Sequence, residues 1–159
     1  MKRCLVGSEM CIRDSLRILL ECEGACLSIR QGGIDWESRL TAAHHKLSHI
    51  EKRVRGSADH TPLFILWAKA EQAFHETLIS DCGSDVLKAT HAMIYQRFRQ
   101  QVFNSDKKFV FVAENIEQHQ GILEAALMRD EALIRSCIFS HLERNLVFDM
   151  PPELPKLPY

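Results

Sequence analysis

Apolar and polar residues repeat along this chain with the period of an α-helix over nearly its whole length. The clearest stripe consists of Leu40, Ala43, Leu47 and Ile50, whose spacing places all four on one helical face. No stretch alternates between apolar and polar residues for long enough to indicate a β-sheet. The pattern therefore predicts an all-α protein.

Breaks in the pattern divide the chain into six helices. Gly32 and Gly33 end the first, Asp35 caps the second, and Pro62 occupies the first turn of the third. Ser84 is the expected N-cap of the fourth helix. The predicted helices cover residues 15–32, 35–53, 61–80, 84–102, 109–128 and from 130 to the end of the apolar pattern.

The first 14 residues stand apart from the rest. The stretch VGSEMCIRD at 6–14 is what one reading frame through a common transposase sequencing adapter encodes, so we expect 1–14 to be artefactual or disordered. Residues 15–150 then form one helical domain, and the proline-rich tail at 151–159 is extended. We further expect that the chain begins inside a longer gene product and that an upstream domain is missing.

Composition and charge limit the function classes. The chain has 159 residues, of which 46% are hydrophobic, and its 20 basic and 21 acidic residues give a net charge of −1. This balance offers no electrostatic reason for the chain itself to bind nucleic acid or an anionic membrane. Because no apolar run is long enough to span a bilayer, we expect a soluble, cytoplasmic protein.

The cysteines outside the first 14 residues carry no recognisable framework. They are Cys22, Cys26, Cys82 and Cys137, and no CxxC pair occurs among them. We interpret them as small buried residues in a reducing compartment. Cys22 and Cys26 lie one helical turn apart and could bind a soft metal, but plain packing is the favoured interpretation.

Four other residues predict a metal site. Glu71 and His75 are four positions apart on the third helix, so both side chains leave the same face. His119 and His141 each lie on an apolar stripe of a later helix and should point into the core. Three imidazoles and one carboxylate suit zinc, nickel or a similar divalent ion, with coordination positions open for water or a small carboxylate.

Other candidates are weaker. A single histidine on an apolar stripe is usually structural, and sequence spacing alone does not establish that the four residues meet. The cluster of His44, His45 and His49 fits a partly exposed or interface face better than a second metal site. Arg97 on the fourth helix is a candidate to clamp a carboxylate. No nucleophile motif or phosphate loop occurs, which argues against an enzyme.

Two segments carry a resemblance to a known family. AEQAFHETLISDCGSDVL at 70–87 and IEQHQGILEAALMRDEALIRSCIFSHLER at 116–144 resemble the two signatures of the FCD domain, the effector-sensing half of GntR-type bacterial transcription regulators. This resemblance implies an antiparallel helical bundle around a central metal, with His75, His119 and His141 as ligands. The family usually has aspartate where this chain has Glu71, and a small organic acid binds beside the metal.

Three functional hypotheses follow. The leading one is the effector-sensing and dimerising domain of a GntR-type regulator, which would reach DNA only through a missing N-terminal winged helix-turn-helix. The second is a small helical metalloenzyme that acts on a carboxylate or ester, because an open metal position can also activate water. The third is a helical interaction domain without metal, in which the histidines hydrogen-bond to one another.

Overall fold

The computed structural model describes the backbone of residues 3–56, 61–104 and 112–148 and the side chains of 12–56, 63–100 and 114–143. These residues form six helices and no strand, which confirms the predicted all-α fold. No helix among them combines the length and apolar character needed to cross a bilayer. The helices are α1 (Arg3–Gln31), α2 (Ile34–Arg55), α3 (Thr61–Leu78), α4 (Asp85–Asn104), α5 (Val112–Leu127) and α6 (Glu131–Phe148).

Helices α2 and α3 pack as an antiparallel pair. The indole nitrogen of Trp36, at the start of α2, donates to the backbone oxygen of Thr77, near the end of α3, at 3.0 Å. Toward the other end of the pair, the indole nitrogen of Trp67 donates to Glu51 at 3.4 Å. Both tryptophans are buried, so each fills apolar space and leaves no indole donor without an acceptor.

Helix α1 runs antiparallel to α6 and also contacts α3, α4 and α5. Near its C-terminus, Arg30 pairs with Glu131 at the start of α6, while Cys22 lies one turn further along α6 at the backbone oxygen of Arg135. Gly24 permits a close approach on another face, because a Cβ there would lie 2.8 Å from the Ile79 side chain. Because α1 contacts four other helices, its buried side chains lie in the middle of the bundle.

Several sequence expectations need correction. Helix α1 begins at Arg3 rather than near residue 15; that residues 1–14 are an artefactual or disordered segment stays a prediction. His44, expected on a partly exposed face, is buried against the ring of Phe74. Leu127 and Leu133 continue the apolar stripes of α5 and α6, yet each is 40% exposed because they flank the α5–α6 turn. The tail at 151–159 lies outside the described residues.

Candidate metal centre

Four buried side chains from three helices meet near the middle of the bundle. Glu71 and His75 come from α3, His119 from α5 and His141 from α6, and one potential ligand atom of each lies within 4.8 Å of the others. The structure thus brings together all four residues that the sequence analysis selected. It is the one group of this kind among the residues that the structure describes.

Local helix geometry explains the convergence. Glu71 and His75 share a face because they are one turn apart on α3. His141 continues the buried stripe of Ile134 and Ile138 on α6, and His119 precedes buried Ile122 on α5. Each histidine therefore occupies a position that an apolar residue would normally fill, and burying its ring nitrogens is costly unless each finds a partner.

Each histidine has such a partner at its Nδ1 atom. The three acceptors are oxygens of side chains from other positions in the bundle, so each Nδ1 donates a hydrogen, and in the neutral ring each Nε2 is left with a lone pair. The pairs are His75 with Glu21 at 2.7 Å, His119 with Glu51 at 3.0 Å and His141 with Gln118 at 3.0 Å. Outer partners of this kind orient histidines that bind metals.

The Nε2 atoms face one another across the centre. Those of His119 and His141 are 3.1 Å apart. The Nε2 of His75 has no hydrogen-bond partner and lies 3.4 Å from Oε1 of Glu71. Lone pairs and a carboxylate oxygen at such distances repel one another in a buried site unless a proton or a metal cation lies between them. The donor set therefore fits a borderline divalent ion.

Charge in the centre favours a cation on the side of His75. Burial alone would favour its neutral ring, but Glu21 and Glu71 outweigh burial and raise the pKa of His75 to about 9. Burial, reinforced by the positive charge possible at His119 and His75, instead holds the pKa of His141 well below its usual range. The centre can thus take up positive charge beside its carboxylates and keeps a neutral imidazole opposite.

The sequence analysis missed an ion pair beside these ligands. Arg17 and Glu21 lie one turn apart on α1, are fully buried and share a 2.7 Å bond from Nε to Oε1. The Nη2 atom of Arg17 is 3.7 Å from Glu71, and neither Nη atom has a hydrogen-bond partner. The available signal was helical spacing, because Arg17, Glu21 and Ser28 form a polar stripe on a largely apolar helix.

Coulombic effects hold this ion pair charged. Burial would raise the pKa of Glu21, but Arg17 and His75 outweigh it and hold that pKa well below its usual range. In the same way Glu21 and Glu71 outweigh burial and raise the pKa of Arg17. The guanidinium of Arg17 also lies over two aromatic rings of α4, 4.7 Å from the centre of Tyr95 and 4.4 Å from that of Phe98.

The remaining sequence candidates lie elsewhere. Arg97 is exposed on α4, and the structure does not bring it to the four ligands. Arg99 donates to Gln72 at 2.7 Å. His91 is buried on the same helix, with Nε2 2.9 Å from Glu21. His45 and His49 are exposed, with their rings stacked at 6.5 Å.

The sequence analysis predicted that all four cysteines outside the first 14 residues are buried, and the structure confirms this for Cys22, Cys26 and Cys82. These three are buried free thiols, while Cys137 is half-buried. The Sγ of Cys26 lies 3.9 Å from the backbone oxygen of Glu131, on the face of α1 that contacts α6. Burial raises the pKa of Cys22 to about 11, which disfavours the thiolate that a metal would need.

Comparison with known proteins identifies related sequences. The sequence model of the FCD domain matches residues 15–144. One similar protein is the "Uncharacterized HTH-type transcriptional regulator BphR" of Paraburkholderia xenovorans (strain LB400), with 31% identity over 134 residues, 82% of this chain and 52% of the relative. Another is the "HTH-type transcriptional repressor GlaR" of Escherichia coli (strain K12), with 29% identity over 121 residues, 73% of this chain and 53% of the relative.

The chain therefore spans about half the length of the curated relatives it matches. No solved structure shows a significant match.

Proposed function

Because the chain belongs to the FCD domain family, which occurs in GntR-type transcription regulators, we propose that it senses a small carboxylate through a bound divalent metal ion. Family membership supports an effector-binding, regulatory role. It argues against the metalloenzyme hypothesis, since the family and the matched relatives are regulators rather than enzymes. The bound metal, the carboxylate effector and dimerisation go beyond family membership and are our proposal.

The observation that carries the metal is the convergence of three imidazole Nε2 atoms and one carboxylate oxygen in the buried core. Glu71, His75, His119 and His141 would hold the ion, and zinc or nickel suits so nitrogen-rich a set. Three carboxyl groups, those of Glu21, Glu51 and Glu71, lie around this set, and one guanidinium, that of Arg17, pairs with Glu21 and lies 3.7 Å from Glu71. A divalent cation would compensate that excess of acidic groups.

Arg17 is the residue best placed to receive a carboxylate. Its Nη1 and Nη2 atoms are buried and have no hydrogen-bond partner, and Nη2 lies 3.7 Å from Glu71. An unpaired guanidinium edge of this kind can take a carboxylate through two parallel hydrogen bonds. The sequence prediction assigned this role to Arg97, which is exposed, so we propose Arg17 in its place, with Arg97 as the alternative to be tested.

Glu71 departs from the aspartate that is usual in the family. Its Oε1 atom lies 3.4 Å from His75 Nε2 and 3.7 Å from Arg17 Nη2. The extra methylene lets one carboxylate reach toward both the metal position and the guanidinium. We propose that Glu71 binds the ion and that its second neighbour, Arg17, tunes how strongly it does so.

Regulation would follow from a shift in the arrangement of the helices. Both matched relatives are named as HTH-type proteins and are about twice as long as the matched region. We propose that this domain acts in the cytoplasm as part of a homodimer whose upstream winged helices bind the operator. A carboxylate effector can favour one arrangement only by as much as its affinities for the two states differ.

Zinc content tests the metal half of the proposal. Protein purified without added metal is compared by elemental analysis with the variant H75A/H119A/H141A, and the matched control is H45A/H49A, which removes two exposed imidazoles. We expect about one ion per chain in the wild type and in the control, and none in the triple variant. Equal metal content in all three proteins would reject the site.

A further inference from the structure

Glu21 on α1 lies between the proposed metal site and the proposed carboxylate site. It is fully buried on α1, and its two carboxylate oxygens accept hydrogen bonds from three donors on three helices. These donors are Arg17 Nε at 2.7 Å, His75 Nδ1 at 2.7 Å and His91 Nε2 at 2.9 Å. One side chain therefore contacts both a proposed metal ligand and the proposed carboxylate receptor.

Its effect on His75 is to fix the ring. Because Nδ1 donates to Glu21, the lone pair of Nε2 is directed toward Glu71 and the other ligand atoms. Partners that hold a ligating histidine in this way typically contribute about 10- to 100-fold to metal affinity. Glu21 should therefore set the affinity of the ion through His75.

Its effect on Arg17 is to fix the plane of the guanidinium. The bond from Nε to Glu21 holds one edge, and the rings of Tyr95 and Phe98 pack against the guanidinium. The remaining Nη1 and Nη2 atoms are then free of hydrogen bonds to protein groups. A guanidinium held in place loses less conformational freedom when a carboxylate binds than a mobile one would.

We propose that Glu21 is a positioning residue that couples the metal ligand His75 to the carboxylate receptor Arg17. This inference rests on the proposed function, since it presumes both a metal and a carboxylate. A shift of Glu21 that improves its bond to one partner alters its bond to the other, so occupation of either site changes the affinity of the other by the same factor.

Glu51 provides a matched control within the same centre. It is also fully buried, and its Oε1 atom accepts from Nδ1 of His119 at 3.0 Å, just as Glu21 accepts from His75. Its other donor is the neutral indole of Trp67. Glu51 thus orients one proposed ligand, and its donors are an imidazole and an indole rather than a guanidinium.

The test compares E21Q with E51Q. Cobalt(II) affinity is measured by titration of metal-free protein, and acetate, the smallest stable probe of a carboxylate site, is then titrated into the cobalt-loaded protein while the visible bands of the ion are followed. We expect both variants to bind cobalt about 10- to 100-fold more weakly than the wild type. We expect acetate affinity to fall at least about tenfold in E21Q and much less in E51Q.

A second variant covers the case in which E21Q does not fold. R17K keeps a positive charge and the bond between Glu21 and His75 but loses the guanidinium fork, so acetate affinity should fall by at least about tenfold and cobalt affinity by less. Equal loss of acetate affinity in E21Q and E51Q, or wild-type acetate affinity in E21Q or R17K, would overturn the coupling.

Failure of the proposed function gives a different result. A wild-type protein that binds no cobalt would overturn the metal site and the coupling together. A wild-type protein that binds cobalt but shows no response to acetate would overturn the coupling and the carboxylate half of the proposal, while the metal half would stand.

Discussion

The two sides of the histidine centre differ in how their polar groups are satisfied. On the side of α1, α3 and α4, Glu21 receives three hydrogen bonds, yet the Nη atoms of Arg17 have none. On the side of α2, α5 and α6, Glu51 and Gln118 each hold one imidazole. The first side has unused donors beside the proposed metal, which an anion would satisfy, whereas the second mainly orients rings.

The largest expected effect comes from removing the charge on the first side. E21L leaves the Nε of buried Arg17 and the imidazoles of His75 and His91 without their acceptor, so we expect the free energy of unfolding to fall by about 3–5 kcal/mol. E51L leaves an imidazole and an indole donor without an acceptor, and about 1–3 kcal/mol is expected for such an unsatisfied group. Urea unfolding followed by circular dichroism measures both.

The double variant R17M/E21L sharpens this result. Replacing a buried ion pair by apolar residues of similar size is often neutral or stabilising. The double variant should therefore recover the part of the loss in E21L that comes from the guanidinium, while His75 and His91 still lack an acceptor. If E21L and E51L lose the same stability, or if the double variant recovers none, then the two sides do not differ in the way we describe.

Removal of the metal tests whether the two sides are joined through it. An ion present at 100 to 1,000 times its dissociation constant stabilises the fold by about 2.7–4.1 kcal/mol, and a chelator should remove that contribution. We expect EDTA to lower the melting temperature of the wild type and to leave that of H75A/H119A/H141A unchanged. An unmoved wild-type melting temperature would instead favour the domain without metal, held by bonds between histidines.

Cys22 reports on the contact between α1 and α6. Its thiol contacts α6, and burial raises its pKa from 9.0 to about 11. Because the thiolate is the reactive form, alkylation of Cys22 by iodoacetamide at pH 8 should be about 100-fold slower in the folded protein than in urea, and its rate should keep rising up to about pH 11. Mass spectrometry of the Cys22 peptide measures this.

The same measurement controls for the variants at Glu21. If E21Q acts only within the centre, native Cys22 should remain as slow to react as in the wild type. Fast alkylation in E21Q would show that α1 has loosened from α6, and the stability and binding effects would then have a global cause.

The smallest expected effect is that of Arg97. Because this side chain is exposed, R97M should change the free energy of unfolding by no more than about 0.5 kcal/mol. R17M should abolish the response of the cobalt-loaded protein to acetate, whereas R97M should retain it. The reverse outcome would show that Arg97, the residue that the sequence analysis favoured, binds the carboxylate.

The sequence was sufficient for features that depend on local spacing. The helical period gave six helices, and Glu71 and His75 could be paired because a single turn separates them. It was insufficient where partners are distant along the chain. Glu21 meets His75 from 54 positions away, and Glu51 meets His119 from 68 positions away, contacts that only the packing of the helices determines.

The exposure of apolar residues at a turn could not be predicted from the sequence either. Leu127 and Leu133 continue apolar stripes, yet the short α5–α6 turn leaves each 40% exposed. Arg17 presented the opposite difficulty, because a buried arginine looks like a surface residue until its partner Glu21 and the rings of Tyr95 and Phe98 are placed around it.

The most direct test of the central claim is the zinc-edge X-ray absorption spectrum of the chain loaded with one equivalent of zinc. We expect a first shell of nitrogen and oxygen atoms at about 2.0–2.2 Å together with the outer-shell scattering of several imidazole rings. A shell containing sulfur at about 2.3 Å would instead assign the ion to cysteines such as Cys22 and Cys26, and would contradict the histidine centre.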